Sequence, residues 1–349
     1  MVTPLKNIHN AERYSRQERF APIGVDGQRK LMDSRVLIVG AGALGSGVAE
    51  MLVRAGVGHV TIIDRDYVEW SNLQRQQLYT EQDVHERLPK AIAAERRLQA
   101  VNSGVEIQGI VADVTVYELE QWAAGQHLIL DATDNFDTRM LLNDYAMKHN
   151  VPWIYGACVG SYGMSMMFEP GITPCLHCLM DTVPIGGATC DTAGIIPPAV
   201  QMVTAYQAAE ALKWLSGNPL ALRRKLVSFD LWTNQSTALD VSAARRDDCP
   251  SCGKDAAYPY LEASNHRKTD ILCGRDTVQI RPAQPQQLPI AEVAARLRHV
   301  WGPTVHSNDY LLSVPIDHYR LVMFKDGRIL VHGTKDPVEA RTIADRVFG

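Results

Sequence analysis

Residues 35–45 read RVLIVGAGALG, and no other stretch restricts the fold of this chain so tightly. RVLIVG is a short apolar run rich in β-branched residues, the composition of a buried strand. Gly40, Gly42 and Gly45 follow at the spacing GxGxxG. Helix-forming sequence continues to about Ala55, Gly56 and Gly58 stop it, and HVTIID supplies a second strand. The glycines allow a tight turn and close backbone approach, and the helix N-terminus offers N–H groups to phosphate. Asp64 ends the second strand, where a carboxylate can hold ribose hydroxyls, with Asp66 two residues on. The expectation is an α/β, Rossmann-like, mostly parallel sheet with flanking helices that binds a dinucleotide or adenosine.

The rest of the chain sets the frame. Residues 1–12 read as a loose arm, 13–255 as one domain of alternating strands and helices, and 262–349 as a small α+β extension after a polar, turn-rich break. In the extension TVQIRP, YLLSVPI and YRLVMF-KDG-RILVHG read as strands, the last pair joined by a hairpin at Asp326-Gly327. LPIAEVAARLRHV and DPVEARTIADRVFG read as helices. A net charge of −4 without a basic run argues against nucleic-acid binding. There is no apolar run of about 18 residues for a membrane span, and the N-terminus lacks a signal-peptide core. The expected location is cytoplasmic. Seven cysteines there favour metal binding or catalysis over disulfides.

Four features around the glycine turn suit a triphosphate better than a nicotinamide. Asn72 and Arg75 lie in SNLQRQ just past the second strand, and an arginine fork matches phosphate oxygens. The same residues would also serve to close a surface loop. Lys90 stands in the first turn of a helix starting at Pro89, where a cation opposes the helix dipole by roughly 0.3–1 kcal/mol and so points to a nearby anion. A solvated lysine that tolerates the cost is the alternative. LILDATDN is an apolar strand ending in Asp131 and Asp134, carboxylates able to hold Mg²⁺ on phosphates. Asp134 can equally cap the next helix. Arg16, in YSRQERF, reads on its own as part of a solvated arm. Attack of a carboxylate on an α-phosphate brings two anions together, and arginine, lysine and a metal relieve that repulsion.

Cys175-Leu-His-Cys178 and Cys249-Pro-Ser-Cys252 are two CxxC pairs, each half of a tetrahedral S₄ site for Zn²⁺. His177, between two ligands, is expected to point to solvent. Cys190 lies in PIGGATCDTAGIIPP, which reads as a mobile loop where a thiolate could act as nucleophile. Packing as a small apolar residue is the alternative. Cys158 and Cys273 are expected to pack in cores.

YSRQ, GAGALG, the strand ending at Asp64, SNLQRQ, the Pro89-Lys90 helix start, DATDN, the paired CxxC and ATCDTAG occur in one order over roughly 13–255. This order resembles the MoeB/ThiF family of adenylyltransferases, relatives of ubiquitin-activating enzymes, and most of all its thiamine-pathway branch. The resemblance implies a homodimer that binds Mg-ATP and acts on a small ubiquitin-like sulfur-carrier protein ending in Gly-Gly. Adenylylation of the carrier's terminal carboxylate precedes transfer of sulfur from a persulfide, as a cysteine desulfurase would supply, to give a thiocarboxylate. By the same resemblance the glycine turn, Asp64 and Asp66 hold ATP, and Asn72, Arg75 and Lys90 meet phosphates. Asp134 is linked to the metal, Arg16 reaches the partner subunit's ATP, and Cys190 matches a loop cysteine that some members link to their carrier. The tail departs from the pattern, since it carries no catalytic-cysteine turn of a sulfurtransferase. Three alternatives remain: the same reaction on a molybdopterin-pathway carrier, a nicotinamide oxidoreductase, and a module that binds a ubiquitin-like partner without activating it.

Overall fold

The structure, a computed structural model, describes residues 12–180, 193–262, 269–271, 276–282 and 286–348. The chain divides into two compact units, Met1–Val84 with Pro89–Ala263, and His85–Leu88 with Ser264–Gly349.

The first unit is built on an eight-stranded sheet. Its strands are β1 (Arg35–Val39), β2 (His59–Asp64), β3 (Glu106–Val111), β4 (Leu128–Asp131), β5 (Trp153–Val159), β6 (Tyr162–Phe168), β7 (Leu226–Asp230) and β8 (Gln235–Leu239). They lie in the order β3-β2-β1-β4-β5-β6-β7-β8. The first five are parallel, and β6, β7 and β8 add antiparallel neighbours. From β1 the chain winds outward through β2 and β3, then returns to β4 on the other side. The strand order therefore reverses between β1 and β4, and such a switch point opens a crevice at the strands' C-terminal ends. Register fixes what meets there: Val39 of β1 pairs with Ile63 of β2 and with Asp131 of β4. The strands between are apolar because helices cover both faces of a parallel sheet. Leu37, Ile129, Trp153 and Phe168 are almost completely buried, and the last two rings stack at 4.6 Å.

Helix Ala43–Ala55 ends as the sequence predicts, with Gly56 left-handed at φ +83°. Helix Pro197–Leu215 also forms where expected, with proline in its first turn. Cys158, expected in the core, is only half-buried, because β5 emerges towards its C-terminal end.

The second unit is a six-stranded antiparallel sheet, β9 (Thr269–Ile271), β10 (Thr277–Ile280), β11 (His306–Ser307), β12 (Leu311–Ile316), β13 (Tyr319–Phe324) and β14 (Ile329–His332), in the order β11-β12-β13-β14-β10-β9. Helices Ile290–Trp301 and Pro337–Phe348 pack their apolar faces on a core that includes Val278, Leu312, Leu321 and Val331. The predicted hairpin joins β13 to β14, with Gly327 at φ +86°. The short strands β9 and β11 carry no sequence signal of their own. Cys273 lies outside the described residues.

Candidate active site

The turn after β1 is shaped by contacts that exclude side chains. A Cβ on Gly45 would lie 1.9 Å from the carbonyl oxygen of Gly40, and one on Gly40, itself at φ +97°, 2.6 Å from that of Ala132. Glycine is thus required for helix and strand to approach. Gly42 differs: a Cβ there meets only Gln76 Nε2, at 3.9 Å. The turn is closed on the protein side and open where a phosphate would approach.

Asp64 braces this turn. Its Oδ2 accepts the Ala41 N–H at 2.6 Å and its Oδ1 the Asp66 N–H at 2.7 Å. Burial pushes its carboxyl above the ordinary range; the Lys90 charge pulls it down and Asp66 pushes it up again. Each oxygen keeps a second lone pair for a ribose hydroxyl.

Lys90 is the first residue of helix Lys90–Val101, and Pro89 is its N-cap. The lysine is almost fully buried, and its Nζ lies 3.0 Å from Asp66 Oδ2. The anion that its position called for is therefore present within the protein. Lys90 N–H also donates to the Asp66 carbonyl at 2.9 Å. Tyr79, buried beside it, donates its hydroxyl to the carbonyls of Ala41 at 2.5 Å and Lys90 at 3.2 Å, tying the glycine turn to the start of this helix.

Asn72 is completely buried in a short helical turn, Trp70–Asn72, where its Oδ1 accepts the Glu69 N–H at 3.0 Å. That is the loop-closing role. Its Nδ2, however, is buried with no hydrogen-bond partner among the described residues, and so is Oε1 of the neighbouring Gln76. A buried polar atom of this kind costs about 1–3 kcal/mol unless a ligand or water meets it. Arg75 is half-buried and donates from Nη1 to the Ser71 carbonyl at 2.8 Å.

The two aspartates after β4 divide their work. Asp131 is fully buried; its Oδ1 accepts from the N–H and hydroxyl of Thr133, and its Oδ2 from Arg139 Nε at 3.1 Å. It is a structural brace. Asp134 is exposed and accepts no hydrogen bond from the described residues. The helix after it is capped by Asn135, whose Oδ1 accepts the Thr138 N–H, so capping is not the role of Asp134. An exposed carboxylate just past the end of β4 has the donor chemistry for Mg²⁺, a hard ion that prefers oxygen. Sequence reasoning passed over Arg65, half-buried with its Nη1 3.3 Å from Asp113 Oδ1. Burial opposes its charge, but Asp113, Asp66, Asp134 and Asp64 together hold the guanidinium above its ordinary value. It also missed Tyr79 and Arg139, whose parts depend on strand register.

Arg16 sits exposed in helix Ser15–Glu18. Cys190 lies outside the described residues.

The four CxxC sulfurs converge. Cys175 Sγ is 3.8 Å from that of Cys178 and 3.6 Å from that of Cys249, and Cys178 Sγ is 3.5 Å from that of Cys252. All four lie within 4.8 Å of one another. Sulfurs at a Zn–S distance of ~2.3 Å on a tetrahedron stand about 3.8 Å apart, so the donor set and spacing fit Zn²⁺. His177 turns away from this cluster, and its Nδ1 meets Ser251 Oγ at 2.9 Å instead of pointing to solvent.

Residues 14–251 match the model of the ThiF family. The chain is 53% identical over 338 residues to the sulfur carrier protein ThiS adenylyltransferase of Bacillus subtilis, covering 97% of this chain and 99% of that one. It is 37% identical over 254 residues to the protein of that name in Escherichia coli, covering 72% and 99%. Against the E. coli molybdopterin-synthase adenylyltransferase the figure is 36%, covering 69% and 96%. Among solved structures, E. coli MccB with a MccA peptide variant superposes with a TM-score of 0.61 at 25% identity, over 69% of this chain and 75% of that one. The chain belongs to the ThiF family. No helix among the described residues is long and apolar enough to cross a membrane.

Proposed function

We propose that this protein is an adenylyltransferase for a small ubiquitin-like sulfur-carrier protein of the thiamine pathway. A terminal glycine carboxylate oxygen of the carrier attacks the α-phosphorus of ATP. The bond from that phosphorus to the bridging oxygen breaks, and pyrophosphate leaves with the electron pair. The glycine turn after β1 and Asp64 hold adenosine, and Asn72, Arg75 and Lys90 bind the phosphates. Asp134 would hold Mg²⁺, which neutralises charge on the phosphates. The cysteine cluster would hold Zn²⁺ as a structural clamp, since four thiolates leave no open coordination position.

The observation that carries this reading is end-to-end similarity to the B. subtilis ThiS adenylyltransferase, which includes the C-terminal extension. The molybdopterin-branch relative is 36% identical where the B. subtilis ThiS adenylyltransferase is 53% identical, so the molybdopterin carrier is the second choice. The protein acts as a homodimer in which Arg16 reaches the partner's nucleotide, and its exposure in a short N-terminal helix leaves it available for that. Cys190 serves as a covalent link to the carrier, and a cysteine desulfurase supplies sulfur after adenylylation. The protein works in the cytoplasm.

ATP–pyrophosphate exchange with the purified, zinc-loaded protein tests the reading. Each Gly-Gly carrier is added alone. Exchange stimulated by the thiamine-pathway carrier supports it. Stimulation by the molybdopterin-pathway carrier only moves the enzyme to the other branch, and exchange with neither rejects adenylylation of these partners.

A further inference from the structure

Four residues that precede Lys90 belong to the C-terminal unit. His85–Leu88 groups with Ser264–Gly349, while the chain on both sides belongs to the first unit. Within the C-terminal unit this strap is held by Asn308. The Asn308 Nδ2 donates to the carbonyl of Glu86 at 3.0 Å and to that of Arg87 at 3.1 Å. The Oδ1 of the same amide accepts the N–H groups of Tyr310 at 2.9 Å and Leu311 at 3.0 Å, so its orientation is set by β12. Arg87 lies in the left-handed region at φ +50°, a conformation an arginine adopts only when its surroundings impose it.

On the other side of the strap, Lys90 is pinned from its N–H, its carbonyl and its Nζ, by Asp66 and Tyr79. Pro89 makes an isolated bridge with Tyr67. Only Leu88 and Pro89 separate Arg87 from the lysine, and so few residues span at most about 10 Å. Leu88 is itself buried. A shift of the strap therefore reaches Lys90 with little slack to absorb it.

We propose that Asn308 is a positioning residue for the nucleotide site: the C-terminal extension holds 86–87 so that Lys90 enters its helix in the orientation that binds phosphate. This rests on the reading above that Lys90 meets the phosphates of ATP. It gives the extension a task within the reaction that is exerted through the chain leading into Lys90.

Asn308→Asp is the decisive variant. It keeps the acceptor for Tyr310 and Leu311 and replaces the donor with an oxygen facing two carbonyl oxygens. The expected result is MgATP affinity lowered about tenfold by calorimetry, in line with the sensitivity of such sites to small displacements. Amide hydrogen exchange in peptides covering 86–93 should be accelerated, while peptides of the β12–β13 hairpin keep wild-type protection. Unchanged affinity overturns the proposal, even with a loosened strap. Weaker affinity with unchanged exchange at 86–93 overturns it as well, since the effect would then have another origin. Neither readout needs a carrier. Wild-type protein that binds MgATP but adenylylates no carrier would remove the proposed function and leave this inference standing.

Discussion

Lys90 Nζ and Asp66 Oδ2 stand 3.0 Å apart, with the lysine side chain 4% exposed and the aspartate 16%. The pair holds a cation at the mouth of the glycine turn before any nucleotide arrives. Removing one partner leaves the other as an uncompensated buried charge, which costs about 3–5 kcal/mol. Lys90→Ala should therefore lower unfolding free energy by roughly that amount in urea titrations. It should also reduce pyrophosphate exchange about 100-fold or more. A variant that loses stability but keeps normal exchange would show that the lysine serves the fold alone.

The aspartates after β4 should separate cleanly. Asp134→Asn is expected to cut exchange about 100-fold and to weaken dependence on Mg²⁺, with melting temperature almost unchanged, because the carboxylate is exposed and accepts no hydrogen bond from the described residues. Asp131→Asn should lower stability by about 3 kcal/mol, since it unbalances the buried contact with Arg139. Equal loss of stability in both would contradict this division.

Asp64 predicts a direction for stability against pH. Its folded carboxyl titrates above the ordinary 3.8 because burial outweighs the pull of Lys90. The folded form holds the proton more tightly than the unfolded chain does. That contribution to stability is complete below 3.8 and is lost as pH rises through the folded value. The difference in unfolding free energy, wild type minus Asp64→Asn, should therefore shrink as pH rises across this window. Urea titrations at a series of pH values measure it, and a difference that grows with pH would reverse the assignment.

For the sulfur cluster, metal analysis should find one zinc per chain. Cys249→Ser should lose the metal and melt well below wild type, because structural zinc contributes its binding energy to folding. His177→Ala should keep the metal, since its imidazole meets Ser251 and not the cluster. Loss of zinc in the histidine variant would add that residue to the ligand set.

What could be read from the sequence was local. The turn at Gly40–Gly45 and the two CxxC pairs are short patterns whose geometry follows from residue type and spacing. Lys90 was legible as a cation needing an anion, but that the anion is Asp66 depends on how the chain folds back after β2. Capping of the helix after β4 falls one residue beyond Asp134, a shift that composition does not resolve when Asp and Asn are adjacent. Tyr79, Arg65 and Arg139 gave no signal, because each acquires its part only when β1, β2 and β4 lie side by side. Asn308 gave none either, since its amide answers a strap more than two hundred residues away.

That separation also has a consequence in time. Asn308 lies 221 residues after Arg87 in the chain. At about 5–20 residues per second, a ribosome takes on the order of ten to forty seconds to cover that distance. The strap leaves the exit tunnel long before the side chain that will hold it has been made. A nascent chain can thus form its glycine turn early and still lack the hydrogen bonds that hold residues 86–87 beside Lys90, which form only after residue 308 has emerged.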